Sequence, residues 1–522
     1  MDSTKDAYAF SAEGKDSDTA AVSTITGSGV YNIVGDIRAA DGGILTLNLA
    51  AGSRFEGKAV LDSGNDSQST LTMAKNSLWT LTGNSQLKSL QNEQSVIDMT
   101  GDNKAFSTLS VETLTGNGGT IIMDIDGSQV DASDKIYVTG DFSGSQILSL
   151  KEINGLDSDP GIGQAAENTV LASVNGSGTF TADDQEGTLY WQSYELGQKD
   201  SVASGYTTDW YLKGITNLNL PTTSVEAIAA SGTLAYHTWR DHDQLLQRLG
   251  DLRQHGREEE GVWVRVKGGK LSRSDQFEFE NKYTQYELGY DQKLKSTPAY
   301  TRYAGISFSY LDGDSSYSSG SGENKVKALN IYGTQIGAKG HYLDLVVKYS
   351  QLDNDFKVFD TSGNKITGDY EQNGLLISAE YGRKNNLKNN WYIEPQAQLT
   401  FGRLRGTDYT TSNGIRVGQD GIDSFVGRVG FNIGKDINEK TNIYLKANLM
   451  HEFGGGYNAS MVDASGTKAR LDRDFDDTWF EYGLGAAVQT GKNNYFYVDV
   501  ERSAGSDFKK DWQWNIGARW TF

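Results

Sequence analysis

The sequence predicts an all-β protein in four consecutive parts: a parallel β-helix, a closing β-module, one polar helix, and a twelve-stranded antiparallel barrel that spans a membrane. Three observations predict it. Short apolar strands recur over the first 126 residues, with Leu45, Leu71 and Ile97 spaced by 26 and Leu47, Met73 and Met99 likewise. Twelve segments of period-2 alternation follow Gly261, joined by connections that run long, short, long, short. The chain closes on WQWNIGARWTF, where Trp512, Trp514, Ile516, Ala518, Trp520 and Phe522 fall on one side and Gln513, Asn515, Gly517, Arg519 and Thr521 on the other, the signature of a strand with one apolar and one polar face.

Composition agrees. Only 37% of the 522 residues are apolar, with 61 Gly, 27 Tyr, 10 Trp and 4 Pro, a usage that favours strands and tight turns over helix bundles. A net charge of −20 argues against nucleic acid as a partner, since binding phosphate backbones needs a basic footprint. With no cysteine, there is neither a disulfide framework nor thiol catalysis. No apolar run is long enough for a transmembrane helix. MDSTKDAYAFSAEGKDSD lacks the apolar region of a signal peptide, so the chain is expected either to stay inside the cell or to be a mature or truncated product.

Residues 1–126 read as coils of the β-helix. ILTLNL, TLTM, VIDM and TIIMDI are short strands, with Gly/Asn/Ser-rich turns such as TGNS and LTGNGG between them. A period in the twenties built of strands and turns is what stacked coils produce; chance similarity among Ser/Thr/Gly-rich strands is the alternative. From 127 to 220 the period is lost while strands continue (KIYVTGDF, QILSLKEI, TLYWQSYEL, DWYLKGI). A closing module is expected there, because the last coil of a solenoid exposes a pairing edge. Trp191, Trp210 and Tyr211 are its candidate core.

Residues 221–257 hold the one strongly helical segment, opening at Pro221 with Ser224 or Thr223 as the expected cap. If continuous it would run for about 45 Å. Its charges, Arg240, Arg248, Asp251 and Arg253 among them, forbid contact with lipid. From 258 to 522 the alternating strands carry Ile306, Phe308, Leu345 and Val347 on one face. On the other lie Glu287, Asp291, Glu380, Glu394, Glu481 and Glu501. Segments such as DGDSSYSSGSGEN and RLRGTDYTTSNGIRVGQDG read as long polar loops, and GAKG and TGKNN as short turns. Loop lengths sorted by end fit a membrane barrel with a polar lumen and aromatic girdles, whereas a soluble sandwich has no reason to sort them. The helix is expected inside the barrel, with Arg248 or Arg253 meeting one of the six lumen carboxylates.

This order of parts resembles the single-chain (type V) autotransporters of Gram-negative bacteria. SDKIYVTGDFSGS, GTLYWQSYEL and DWYLKG resemble the pertactin-like autochaperone module. RLGDLR followed by GVWVRVKGG resembles the junction of pore helix and first barrel strand, and NSLWTLTGNSQLKSL resembles the last passenger coils of adhesin-type members. The resemblance implies a right-handed β-helix, a barrel in the outer membrane and a passenger on the cell surface, exported C-terminal end first. It also implies that the barrel-assembly machinery reads the terminal strand with Trp520 and Phe522. Further implied partners are periplasmic chaperones, lipid and lipopolysaccharide, and a host or neighbouring-cell surface reached by an adhesin or aggregation factor.

No cofactor, metal site or enzyme activity is expected. His237 and His242 are five apart and no HExxH or GxSxG occurs, so the helix histidines read as solvated. DRDFDD at 472–477 lacks the glycine and later glutamate of a calcium loop and reads as an acidic outer loop. Residues 222–256 contain no Asn, which argues against the asparagine self-cleavage found in some relatives. The alternative function is the export domain of a protease or esterase whose catalytic part precedes residue 1.

Overall fold

A computed structural model describes residues 8–15, 20–62, 66–101, 105–154, 168–241, 244–249, 260–275 and 277–522. The chain forms two compact units, the first ending at Leu220 but also taking in Ser465–Thr467, the second made of Pro221–Ala464 and Lys468–Phe522.

The first unit is a parallel solenoid, as the alternating Leu/Ile/Met strands require. Successive coils pair parallel and in register, Leu47 beside Leu71, Leu71 beside Leu90, Leu90 beside Leu114 and Leu114 beside Phe142. These residues are fully buried, so each coil covers the apolar floor of the next. A second parallel sheet stacks Phe55, Trp79, Ile97 and Ile121, with the Phe55 and Trp79 rings stacked 5.6 Å apart and nearly parallel.

The expected spacing of 26 is therefore corrected. Leu71 and Ile97 lie in different sheets, and the true coil spacings are 24, 19, 24 and 28 residues. The coils also continue beyond residue 126: Lys135–Phe142 and Val170–Gly176 pair parallel in one sheet, Ser145–Asn154 and Thr179–Ala182 in the other. Only then does pairing turn antiparallel, as Thr208–Pro221 closes the edge of Val170–Gly176 and Tyr190–Asp200 and Gln185–Glu186 complete the ten-stranded sheet. An exposed parallel edge would template pairing with other chains, and this hairpin covers it. Trp210 sits there against Phe180, which packs on Phe142, at centroid distances of 5.5 and 4.6 Å. Trp191 and Tyr211, expected in this core, are half-buried. Tyr194 and Leu212 take the interior positions, because the strand parity places them, with Trp210, on the covered face.

The second unit is a closed barrel of twelve antiparallel strands: β1 (Gly261–Arg273), β2 (Phe279–Ser296), β3 (Tyr300–Tyr317), β4 (Gly320–Gly337), β5 (His341–Phe359), β6 (Lys365–Arg383), β7 (Trp391–Leu404), β8 (Ile422–Asn438), β9 (Thr441–Glu452), β10 (Asp477–Gln489), β11 (Asn494–Ala504) and β12 (Phe508–Thr521). The terminal strand closes the ring on β1, from Gly261 beside Thr521 to Arg273 beside Phe508. Leu288, Phe308, Ile331, Leu345, Leu399 and Leu484 form part of an exposed apolar belt, while the inside combines Asn, Gln, Ser and charged residues with a buried apolar cluster that includes Leu271, Leu311, Leu352, Leu376 and Leu404. The apolar belt is stable only when it faces lipid.

Several segments expected as long loops are strand. β3 and β4 leave only Ser318 and Ser319 between them, and β5 runs 19 residues, well beyond the roughly 9–11 that cross a bilayer. Thr407–Thr410, Arg416–Gln419, Gly456–Val462 and Lys468–Asp474 pair into a separate four-stranded sheet at the long-connection end. The acidic stretch 472–477 thus starts in a strand, and its Phe475 is buried, stacked on Tyr236 at 4.9 Å. An apolar residue at the inward parity overrides the acidity of its neighbours.

Candidate functional site

The lumen is occupied by the chain's own helical segment. Helix α1 (Thr223–Arg240) has Thr222 as its cap, whose hydroxyl accepts from the Val225 amide at 3.4 Å, rather than Ser224 or Thr223. Ser224 accepts instead from Asn413 in the long β7–β8 connection at 2.9 Å, so the helix starts at the long-connection end. From Ser224 to Arg240 all but Glu226 are buried. A single long helix was expected. The chain leaves helical geometry at Asp241 and resumes as α2 (Leu245–Leu249), a break held by charge. Lys267 Nζ donates to Asp241 Oδ2 at 2.7 Å and Lys348 Nζ to its backbone carbonyl at 3.0 Å.

The wall is shaped for α1. A Cβ on Gly374 of β6 would lie 2.1 Å from Trp239 Nε1, and one on Gly402 of β7 2.9 Å from the same ring. Only glycine leaves room for the indole there, and Trp239 is fully buried. His237, expected to be solvated, is 4% exposed and stacks face to face on Phe508 at 3.8 Å. The lumen offers it aromatic walls instead of water.

Charge then fixes the segment at both ends. Glu452 accepts from Tyr236 Oη at 2.7 Å, Ser424 Oγ at 2.6 Å and the Phe425 amide at 2.7 Å, and lies 3.4 Å from Arg240 Nη1. Arg240 also lies over the Trp479 ring at 4.6 Å. Arg248 donates to both oxygens of Asp344 at 2.8 and 2.7 Å, rests on the Tyr332 ring at 4.3 Å, and offers its carbonyl to Tyr497 Oη at 2.6 Å. Buried ions are tolerable only when opposite charges and hydrogen bonds lie this close.

The expected partner of Arg248 is thus corrected. It is Asp344, an inward residue of β5 outside the six named carboxylates, and Glu452 was missed in the same way. Three of the six do meet the helical segment through groups other than arginine or shape its surroundings. Glu380 accepts from the Leu245 amide at 2.9 Å and Tyr342 Oη at 2.5 Å. Glu501 accepts from Gln247 Nε2 at 2.8 Å and is bridged by Lys446 and Lys510. Glu287 pairs with Arg265, whose Nη1 also reaches the Gln247 carbonyl at 3.3 Å. The other three hold the wall: Asp291 pairs with Arg519, Glu394 accepts from Gln396 at 2.7 Å, and Glu481 lies 3.5 Å from Lys510. Asp251, Arg253, His242 and His255 lie outside the described residues. At the chain end, Trp520 and Phe522 are exposed at 40% and 66%, facing outward at the short-turn rim, with the Phe522 ring 6.4 Å from that of Tyr290. No group of three or more metal-ligating side chains is present among the described residues.

The family profile described as "Autotransporter beta-domain" matches residues 262–501, and that described as "Pertactin" matches residues 86–214. The chain is 28% identical over 545 residues to a probable autotransporter, YcgV, of Escherichia coli K12, an alignment that covers 96% of this chain and 55% of that protein. It is 28% identical over 502 residues to the pertactin autotransporter of Bordetella bronchiseptica, covering 86% and 52%. The chain therefore spans about half the length of the curated relatives it matches. Among solved structures, the beta domain of the Bordetella autotransporter BrkA is 26% identical with a TM-score of 0.42, covering 51% of this chain and all of that one.

Proposed function

The chain belongs to the autotransporters, with its barrel in the bacterial outer membrane and its passenger on the cell surface, and from that premise we propose that it exports and displays its own N-terminal part. The occupied lumen carries this reading. The closing strand Thr208–Pro221 runs directly into α1, which enters the barrel at the long-connection end and is bonded to the wall along its length. That is the arrangement left when a chain has been threaded outward through its own barrel, with the linker staying behind as a plug. A solenoid that folds coil by coil from the closed end outside supplies free energy for the movement where no ATP is at hand.

In this reading the barrel-assembly machinery recognises the strand ending at Phe522. Periplasmic chaperones keep the chain unfolded before export, and the outer barrel face meets lipid and lipopolysaccharide. The passenger acts as an adhesin or aggregation factor toward a host or neighbouring cell, and the chain performs no catalysis. The solenoid's exterior supports a binding role, being a stack of polar strand faces such as Thr46, Thr70 and Ser89. Deleting residues 226–247 is expected to raise single-channel conductance in planar bilayers while the barrel keeps its heat-modifiable mobility. Unchanged conductance would remove the plug from the mechanism.

A further inference from the structure

The barrel's lipid face is interrupted near its short-turn end by an apolar groove of about 450 Å³ across β7 to β11. Its floor is Ala486, which lies between Ile443 and Val498 in the paired strands. Leu445, Leu484 and Val500 form its walls. The small side chain among larger branched ones creates the depression, so it is a property of the sequence. At the mouth Lys435 stands beside Trp391 in register, its ammonium 5.7 Å from the indole centroid. Lys388, Lys440 and Lys492 are exposed on the adjoining short turns, with Glu439 the exposed carboxylate among them. Asp436, also at this rim, is paired with Lys384. Among the described residues no carboxylate forms an ion pair with Lys388, Lys435, Lys440 or Lys492. In a chain of net charge −20, this cationic border above an apolar slot is a local departure.

We propose that this groove binds one anionic glycerophospholipid of the inner leaflet, its acyl chain over Ala486 and its phosphate between Lys435 and the turn lysines. The aromatic-cation mouth sits at headgroup depth, where Trp anchors and Lys reaches the interface. An anionic headgroup matches the charge, and the leaflet at the short-turn side supplies it. The inference rests on the membrane placement of the barrel and is independent of passenger export.

The test is native mass spectrometry of the full chain in detergent, loaded with dioleoyl-phosphatidylglycerol or dioleoyl-phosphatidylethanolamine. Retention of the phosphatidylglycerol in excess over the zwitterionic lipid is expected. Ala486→Phe, which fills the slot, should abolish that excess, with heat-modifiable mobility as the check on folding. Lys435→Gln with Lys440→Gln leaves the slot intact and should weaken retention about fivefold per lysine, the effect of about 1 kcal/mol for each cation near an anionic headgroup. Equal retention of the two lipids by the parent, or undiminished phosphatidylglycerol on the folded variants, overturns the proposal.

Discussion

The solenoid and the barrel are both β-structures with alternating strands, yet they place the alternation in opposite senses. In the solenoid Leu47, Leu71, Leu90 and Leu114 point inward, and burial of apolar surface at roughly 25 cal/mol per Å² holds the coils together. In the barrel Leu288, Phe308 and Leu484 point outward and Arg265, Arg428, Lys446 and Asp499 point inward. Cohesion there comes from the closed ring of strand pairing and from charge-assisted hydrogen bonds, such as Arg428 to Gln396, Gln398 and Asn448 at 2.8 to 2.9 Å. The two are stable in different solvents. One chain can therefore leave its barrel in lipid while its solenoid folds in water, and the polar lumen lets a polar segment pass without meeting lipid.

The comparison breaks most sharply where one unit fails and the other does not. Trp79 is fully buried in the solenoid, stacked on Phe55 and donating to the Gly57 carbonyl at 2.9 Å. Trp79→Ala should destabilise the solenoid by about 5 kcal/mol, the upper part of the range for a large buried aromatic. Protease shaving of whole cells should then degrade the displayed coils while the barrel keeps its heat-modifiable mobility. Loss of the barrel as well would mean that the units do not stand on separate sources of stability.

The polar side of the comparison is tested at Asp344. Asp344→Ala leaves the Arg248 guanidinium buried without its carboxylate partner, a loss of about 3 kcal/mol, at the low end because the Tyr332 ring remains under it. The plug should loosen, seen as more frequent channel openings in planar bilayers. Arg248→Met with Asp344→Leu removes both charges together, and its openings should return toward the parent level. A double variant as leaky as the single one would show that this ion pair does not hold the helix by charge.

These results also explain what could be read from the sequence. Parity was legible, because a period of two has one meaning whichever solvent lies on each side; it assigned the lipid and lumen faces and the inward carboxylates Glu287, Asp291 and Glu380. Register was not. Coils of 24, 19, 24 and 28 residues differ by insertions at their turns, which a fixed period misses. Nor was the pairing of Arg248 legible, since Asp344 and Glu287 share the inward face and only the rotation of α2 and its break at Asp241 choose between them. Phe475 was hidden by the acidic residues around it. His237 was read as solvated because helix polarity alone does not show that the pore around it is lined with Phe475 and Phe508.

The smallest expected effect tests whether the solenoid is free of the ionic control that governs the lumen. It is not entirely so, because near its closing end Asp134 is 1% exposed and accepts from the amides of Ser107 at 2.6 Å and Asp124 at 2.7 Å. Burial pushes its carboxyl up to about 7 against the pull of those two amides, with Asp124 and Asp98 adding to the rise. Burial likewise pushes Asp124 up to about 6, opposed by Lys151. A carboxyl raised in the folded state binds its proton more tightly there than in the unfolded chain. It therefore adds stability that is fully present below the unfolded value of 3.8 and is lost as pH rises through about 7. The melting temperature of this unit, followed in the full chain by tryptophan fluorescence, should climb as pH falls from 8 to 5, with a slope of at most about 1.4 kcal/mol per pH unit from each carboxyl. Asp134→Asn keeps one acceptor for the two amides, so the variant should melt lower at pH 5 and show a flatter pH dependence. A parent whose melting temperature falls on acidification over that range would put the control of this unit elsewhere, in groups that hold their protons less tightly in the folded chain than in the unfolded one.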